Sequence, residues 1–426
     1  MTRKLVRARI DIGLRCREAE QKKALAWGYR VLSQRLIFAV AAVLACLCPA
    51  RAADVIDIKI GLMRRPEAKQ TISLLDLAAE NNGLAGATLA AEDNNTTGKF
   101  IGQRYVLSDA RVGPADDPAT SLAKFEADGI GLIVADLPAE SLLKLADAAR
   151  GRDILIFNAG ATDDSLREED CRANVIHTAP TRSMLVDGLA QYLIWKRWSK
   201  WLLVLGSHKE DQLYAEAVRR SAKKFGAKIV EERVFEDTGG SRRSDTGYVQ
   251  FQRQMPVFTQ NAAAHDVLVV ADESDVFGLY LPFRTWDARP VAGTAGLVAM
   301  SWDPSFDQWG ANQLQNRFIK LFSRRMTAKD IQAWTAVRMI GEGATRRKSN
   351  EVKVIRDYIL SPEFSVAAFK GQKLTLRDWN LQLRQPIILG DGRTIASVSP
   401  QEGFLHQVSE LDTLGFDRPE TKCKLK

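Results

Sequence analysis

The sequence predicts two successive α/β domains, each with a mostly parallel sheet flanked by helices. Three observations support this prediction. Short apolar strands alternate with amphipathic helices, the strands are apolar along their whole length, and the alternation recurs in a second half of the chain. Such strands are typical of parallel sheets that helices cover on both faces. The 426 residues are enough for two cores of ordinary size.

The first series of elements runs from residue 56 to residue 160. Alternating apolar periodicity predicts strands over 56–63, 105–110, 130–136 and 154–160, with helices over 71–95, 118–129 and 139–151. The second of these helices ends at Gly129, and glycine is common just after a helix.

The second series has the same order. We predict helices over 184–198 and 211–226 and from Asp275 to Trp286, and strands over 200–207, 227–235, 265–273 and 291–300. The polar insert 236–247 is rich in Gly and Ser and predicts an exposed loop. Three more helices, around 308–325, 328–346 and 354–361, and a β-rich region over 372–399 follow.

The positive charge of the chain is confined to its N-terminal segment. The formal net charge is +8, and residues 1–52 hold eleven Lys and Arg against three acidic residues. The remaining chain is therefore neutral and provides no overall field for nucleic-acid phosphates. We expect no nucleic-acid partner.

The same N-terminal segment has the organisation of a secretory signal peptide. An apolar run, LIFAVAAVLACLC, follows Arg35 and is short for a membrane span. Ala50-Arg51-Ala52 then has the small-x-small form of a cleavage site. We predict a signal peptide over 1–52 and an exported mature protein. A lipoprotein signal ending before Cys46 is the alternative.

Two cysteines, Cys171 and Cys423, remain after that cleavage. An even number in an oxidising compartment favours one disulfide, which would tie the C-terminal tail to the first domain. The alternative is a catalytic pair of Cys171 and His177, but their spacing matches no catalytic motif. The acidic run over 163–170 lacks a calcium-loop pattern, so we expect a solvated loop and no metal site.

The residues that follow the predicted strands are the candidates for ligand binding. In open parallel sheets, ligands bind beyond the carboxyl ends of the strands, and two adjacent α/β domains suggest a cleft. Arginine holds anions bidentately and tryptophan stacks on rings, which makes Arg65 and Trp302 candidates. The other polar or small residues at strand ends are Asp136, Gly160, Ala161, Thr162, Asp272 and Glu273.

Several motifs then suggest a family. They are IKIGLM in the first strand, AGATDDSL after the fourth strand, DQLYAEAVRRSAKKFGAKIV in the second half and DPSFDQWGANQLQNRFIKLF after it. With them the chain resembles the type I periplasmic binding proteins of the branched-chain amino-acid class over nearly all of 54–420. These proteins are the soluble, non-enzymatic components of ABC importers.

The resemblance implies a two-lobed fold with a hinge. Lobe 1 would contain 53–177 and 303–370 together with the tail 400–426, and lobe 2 would contain 178–302 and 371–399. The protein would be a monomer without a cofactor. It would close on a small molecule and dock to permease and ATPase subunits in the inner membrane.

The resemblance also implies roles for single residues. Gly160, Ala161 and Thr162 match the turn that holds a ligand carboxylate, and Tyr214 matches a tyrosine that closes over the ligand. The chain departs from the family at three places. Asp136 stands where amino-acid binders have serines, Asp272-Glu273 replaces an aromatic residue, and the acid that pairs with the ligand ammonium is missing. Glu273 or Asp272 would replace that acid, or the ligand is not an amino acid.

A narrower resemblance concerns the C-terminal region. DWNLQLRQPIILGDG and SPQEGFLHQVSELDTLGFDRPETKC are similar to the branch of the family associated with pyrroloquinoline-quinone-dependent alcohol dehydrogenase systems. This similarity implies a link to alcohol oxidation. A periplasmic accessory or sensor protein for the dehydrogenase or its cofactor is the alternative to a transport role.

Overall fold

The computed structural model describes residues 55–66, 77–237 and 245–425. The predicted signal peptide, residues 71–76 of the predicted helix over 71–95 and residues 238–244 of the predicted loop over 236–247 lie outside these residues. The described part of that helix begins at Leu84 and runs to Ile101, later than predicted. Within the described ranges, no helix is both long and apolar enough to cross a membrane.

A five-stranded parallel sheet forms the centre of lobe 1. Its strands are Ile56–Arg64 (β1), Gln103–Arg111 (β2), Leu132–Asp136 (β3), Leu155–Asn158 (β4) and Val175–His177 (β5). They lie in the order β2-β1-β3-β4-β5. Helices Leu84–Ile101 (α1), Pro118–Ala127 (α2) and Ala139–Ala148 (α3) connect them. Successive β1 side chains enter apolar clusters on opposite faces, with Leu62 on one and Met63 on the other.

A seven-stranded mixed sheet forms the centre of lobe 2. Its strands are Lys200–Gly206 (β6), Lys228–Phe235 (β7), Val267–Ala271 (β8), Val291–Gly293 (β9), Leu297–Met300 (β10), Ile387–Gly390 (β13) and Ile395–Ser399 (β14). Their order is β14-β13-β10-β9-β8-β6-β7. The pairs β10–β13 and β13–β14 are antiparallel, and the other pairs are parallel. Its helices are Arg182–Trp195 (α4), Lys209–Phe225 (α5), Asp245–Thr259 (α6) and Leu281–Arg284 (α7).

The chain then returns to lobe 1. Helices Ala311–Phe322 (α8), Ala328–Arg347 (α9) and Val352–Ile359 (α10) precede a small antiparallel pair, Val366–Ala367 (β11) and Lys373–Leu374 (β12). Helix α9 lies directly against α1. At Gly86 a Cβ atom would come within 1.9 Å of the Asp330 carbonyl oxygen, so only glycine permits this approach.

The chain passes between the two sheets three times, after β5, after β10 and before β13. The first and third connections are joined to each other. The His177 amide donates to the Leu381 carbonyl at 2.9 Å, and the Leu383 amide donates to the His177 carbonyl at 2.9 Å. Leu383 packs in the lobe 1 core and Ile387 in the lobe 2 core, so the third connection lies between them.

The tail after β14 contacts both lobes. Leu414 packs in the lobe 2 core, and the Gly415 amide donates to Asp187 of α4 at 2.8 Å. The tail ends at lobe 1, where Cys423 forms a disulfide with Cys171 and the Lys422 amide donates to Glu168 at 2.6 Å. The predicted disulfide is therefore present, and the tail connects the lobes rather than lying on lobe 1 alone.

The two-lobed α/β fold confirms the predicted fold class, but three local predictions were wrong or incomplete. A 3₁₀ turn and the one-turn helix α7 replace the helix predicted from Asp275 to Trp286. Helix α6 was not predicted, because Pro256 and its polar residues obscure the period. The acidic run is not a solvated loop, since Asp164 accepts from the Ser183 amide and hydroxyl and Glu168 is only 3% exposed.

Candidate functional site

Each sheet has a topological switch point, where the connections leave in opposite directions. It lies between β1 and β3 in lobe 1 and between β6 and β8 in lobe 2. Ligands of open α/β sheets bind outside the strand ends at such points. Arg65 follows β1, Asp136 ends β3 and Glu273 follows β8, so three of the predicted residues lie at the two switch points.

A cavity of about 220 Å³ lies at the lobe 1 switch point, and its lining includes Arg64, Arg65, Asp136 and Lys329. The two arginines differ in their partners. Arg64 already has a structural partner, because it forms a bidentate ion pair with Asp109 at 2.8 and 2.9 Å. The Nε of Arg65 is buried and has no hydrogen-bond partner among the described residues. Asp136 Oδ1 forms an ion pair with Lys329 Nζ at 3.1 Å.

The turn after β4 is shaped by Asn158. The Oδ1 atom of Asn158 accepts from the Gly160 amide at 3.2 Å and the Ala161 amide at 2.9 Å, and its Nδ2 donates to the Ala161 carbonyl at 2.8 Å. A Cβ on Gly160 would come within 2.3 Å of Asp136 Oδ1, so the turn lies against the end of β3. Both amides expected to hold a ligand carboxylate are therefore engaged within the protein.

Thr162 is the member of this turn that keeps donors for a ligand. Its carbonyl accepts from the Arg182 amide at 2.9 Å. In the part of the chain that the structure describes, its own amide and hydroxyl make no hydrogen bond. Thr162 thus offers two adjacent donors at the boundary between the lobes.

Arg182 brings charged groups of both lobes together. Its Nε and Nη2 contact Glu273 Oε2 of lobe 2, each at 2.8 Å. Its Nη1 lies 3.1 Å from Asp163 Oδ1 of lobe 1, but the alignment is not that of a hydrogen bond. We did not predict Arg182, because it begins a helix rather than ending a strand. Its position directly after the Thr181 N-cap is the sequence signal that was available.

Burial and charge set the protonation of this group. Burial raises the pKa of Glu273, although Arg182 opposes the rise. Burial by itself would lower the pKa of Arg182, but Glu273 and Asp163 outweigh it and the pKa is raised. Burial also raises the pKa of Tyr214, and the charge of Glu273 adds to that rise. At neutral pH, Arg182 is therefore a cation and Tyr214 keeps its proton.

Asp272 and Trp302, two further predicted site residues, have structural partners. Asp272 accepts from the Val276, Phe277 and Gly278 amides at 2.9, 2.9 and 2.6 Å, which closes the turn after β8. Trp302 is 2% exposed in the lobe 1 core. Internal packing and hydrogen bonding account for the positions of both residues.

A buried arginine that we did not predict stabilises the turn after β4 through its carbonyl groups. Arg167 is 1% exposed, and it donates to the carbonyls of Ala161 and Asp163 at 3.0 Å each and of Ala179 at 2.7 Å. It also donates to Gln382 Oε1 at 2.9 Å. Burial lowers its pKa to about 9, against the opposing charges of Asp164 and Asp163.

The alternative of a catalytic Cys171–His177 pair is wrong. Cys171 has no free thiol, because it is disulfide-bonded to Cys423. His177 is 1% exposed and contacts Asn158 Nδ2 at 3.1 Å. Burial holds its pKa well below the ordinary range, and the charge of Arg167 adds to this effect. Within the described ranges, no group of three His, Cys, Asp or Glu side chains is placed to hold a metal ion.

Two α/β lobes, three connections and a site at the strand ends define a type I periplasmic binding protein fold. Comparison with families agrees: the family described as "Periplasmic binding protein" matches residues 77–249. Comparison with curated proteins finds no match.

Solved structures of this fold are similar over most of the chain. The leucine-, isoleucine-, valine-, threonine- and alanine-binding protein of Brucella ovis, in a closed conformation, has 16% identity and a TM-score of 0.64, covering 87% of this chain and 99% of that one. A periplasmic binding protein of Burkholderia mallei has 15% identity and a TM-score of 0.63, with the same two coverages.

A third similar structure contains a bound ligand. A solute-binding protein of an ABC transporter from R. palustris, in complex with benzoate, has 12% identity and a TM-score of 0.59, covering 87% of this chain and 100% of that one. At such identities the likeness shows the fold.

Proposed function

We propose that this protein is an exported, periplasmic solute-binding component of an ABC transporter and binds a small molecule between its lobes. One observation carries the proposal. Arg182 joins Asp163 of lobe 1 to Glu273 of lobe 2 at the ends of the two sheets. A group that bridges the lobes in this way responds directly to a ligand that enters between them.

The ligand we propose carries a carboxylate. The buried Nε of Arg65 has no hydrogen-bond acceptor among the described residues, and Arg182 Nη1 has only the poorly aligned carboxylate of Asp163 at 3.1 Å. Thr162 adds an amide and a hydroxyl. Charge-assisted hydrogen bonds of arginine to carboxylate are the strong ones, and their planar geometry favours that group. Glu273 is already paired with Arg182, so we do not expect it to hold a ligand ammonium group by itself.

The test is a thermal-shift screen of the mature protein with alcohols, their carboxylic acid products, amino acids and quinone cofactors. A ligand that binds only the folded form at one hundred times its Kd stabilises it by about 2.7 kcal/mol. We expect carboxylic acids to stabilise the protein and the matching alcohols to do so much less. Arg182→Gln and Thr162→Val should each abolish the shift.

Arg219→Gln is the matched control, because Arg219 pairs with Glu232 at 2.7 Å on the surface of lobe 2. It should leave the shift unchanged. If no compound in the screen stabilises the protein, the binding function is refuted. If a carboxylate stabilises the Arg182→Gln variant as well as the wild type, the site is wrong although the function stands.

We further propose, from the similarity of the C-terminal region alone, a link to a quinone-dependent alcohol dehydrogenase system. The accessory or sensor role stays open beside transport, and one contact favours it. The disulfide of Cys171 and Cys423 fastens the end of the tail to lobe 1, while Leu414 and Gly415 hold the tail on lobe 2, and together these contacts limit how far the lobes can separate. Loss of substrate uptake on deletion would favour transport. Unchanged uptake with impaired growth on alcohols would favour the accessory role.

A further inference from the structure

A second cavity lies on the helical side of lobe 1, away from the strand ends. Its volume is about 700 Å³, within the range of small-molecule sites. Helices α1, α8 and α9 and the loop between β11 and β12 form its walls. It shares no lining residue with the cavities beside Arg65 or Arg182.

Three aromatic side chains line this cavity, which we call the lobe 1 side cavity. The rings of Trp334 and Phe369 are 5.6 Å apart between centroids and inclined at 52°. Trp309 is 54% exposed and lies over Gly371, where a Cβ would come within 2.7 Å of its ring. The loop is therefore shaped to receive the indole of Trp309.

Backbone strain singles out the same residues. Trp309 has φ +49° and Phe369 has φ +56°, both in the left-handed region. Bulky side chains are rarely found there, and such conformations cluster at functional sites. Gly371, in the same loop, also has a positive φ of 81°. Core packing does not explain Trp309, since half of its surface is exposed.

The charge of the cavity is positive. Its lining contains the cations Arg317, Arg338 and Lys373 against the single carboxylate of Asp93. Lys370 also lines the cavity, but burial lowers its pKa to about 7 and it is not counted among these cations. Arg317 and the Trp334 indole both donate to that carboxylate, at 2.5 and 3.1 Å. The guanidinium carbon of Arg338 lies 5.8 Å from the centroid of the Trp334 ring.

Arg338 keeps donors for a ligand. Its Nη1 donates to Asn94 Oδ1, whereas its Nε and Nη2 make no hydrogen bond within the described ranges. A planar anion on the aromatic faces would therefore meet guanidinium N–H groups at its edge, which is the geometry that a carboxylate requires.

From the rings, the strained loop and the excess of cations, we infer that the lobe 1 side cavity binds a small planar aromatic carboxylate. This site is additional to the inter-lobe cleft and does not depend on the function proposed for the cleft. Its wall is connected to the hinge, because Lys370 donates to Gln385 at 2.6 Å and Gln385 donates to the Thr178 carbonyl at 2.8 Å.

Calorimetric titration with 2-naphthoate tests the inference. Decalin-2-carboxylate has the same charge without an aromatic face, and 2-naphthalenemethanol has the face without the charge. We expect 2-naphthoate to bind at least tenfold more tightly than either compound. The Arg182→Gln variant, in which the cleft is impaired, should keep the side-cavity binding event at wild-type affinity and lose only any additional event in the cleft.

Trp309→Gly and Arg338→Gln should each weaken 2-naphthoate binding at least tenfold. Trp309→Gly should also keep or raise Tm, because glycine relieves the left-handed backbone. Trp286→Gly is the matched control, since Trp286 is 56% exposed on lobe 2. It should leave binding unchanged.

Three outcomes overturn the inference: no binding of 2-naphthoate at millimolar concentration, equal binding of decalin-2-carboxylate, or unchanged affinity in Trp309→Gly. Binding that is lost in Arg182→Gln but kept in Trp309→Gly would assign 2-naphthoate to the cleft. That result would overturn this site and leave the proposed function intact.

Discussion

Removal of the disulfide should destabilise the protein strongly. Cys171 and Cys423 are separated by 252 positions, and their Cα atoms lie 5.7 Å apart. Loss of a cross-link across such a long loop returns about 5 kcal/mol of chain entropy to the unfolded state. Since native disulfides usually contribute somewhat less than this bound, we expect the Cys171→Ala/Cys423→Ala variant to lose about 4 kcal/mol of unfolding free energy.

The loss can be converted into a melting temperature. The two lobes span Val55–Lys426. An unfolding entropy of about 2.1 cal/mol/K per residue gives about 0.8 kcal/mol/K for a chain of this length, so Tm should fall by about 5 °C. Differential scanning calorimetry of the oxidised wild type and the double alanine variant measures this difference.

The body of the protein should stay folded in the variant, because the tail has other anchors. Arg377 and Asp412 form a fully buried ion pair at 2.9 Å, and Arg220 and Lys224 donate to the Gly415 carbonyl. Compared with the wild type, limited proteolysis of the variant should therefore show additional cleavage only beyond residue 416. The reduced wild type should have the same Tm as the double alanine variant. A loss below about 1 kcal/mol, or cleavage throughout lobe 2, would refute this account of the tail.

Two further variants test buried cations. Burial lowers the pKa of Lys370 to about 7, so between that pH and its ordinary value near 10.5 the unfolded chain holds a proton that the folded chain lacks. The free energy of unfolding should then rise by several kcal/mol as pH rises through this window. In urea unfolding, the free energy of Lys370→Met should depend less on pH than that of the wild type. Parallel pH dependences of the two proteins would contradict this. Arg167→Met removes four hydrogen bonds and should cost about 3–5 kcal/mol in urea unfolding. Arg172→Met, which removes a partly exposed pair with Asp147, should cost about 1 kcal/mol or less, and equal losses would show that burial is not the cause.

The fold could be predicted because its strands are apolar throughout and its helices have regular periods. A strand such as Leu132–Asp136 is buried at every position, so its sequence reports its place in a parallel sheet. The segment after β8 was predicted as a helix from Asp275 to Trp286. Instead, the amides of Val276, Phe277 and Gly278 donate to the Asp272 carboxylate and form a turn. These hydrogen bonds have no periodic pattern in the sequence that would predict them.

The candidate site was less accessible to sequence reasoning. Proximity to strand ends directed attention to Thr162 and Glu273, and their ligand-binding roles stay predictions. Whether an amide is free depends on side chains elsewhere, and Asn158 engages the two amides of the turn before any ligand does. Arg167 was missed because a charged residue within an acidic run is indistinguishable from a solvated one until its partners are known.

The contacts of Arg167 determine which parts can move as the lobes separate. Its guanidinium holds the turn carbonyls, the Ala179 carbonyl and Gln382 together, so the turn and these two connections form one rigid body. The axis of any lobe rotation must therefore pass on the lobe 2 side of Ala179. In the proposed binding function, a ligand would meet a turn to which the Arg182 amide and Ser183 are already bonded, before Glu273 of lobe 2 comes into reach. For that function we expect capture by lobe 1 and closure by lobe 2 to be successive events, with rates that are separable in stopped-flow measurements.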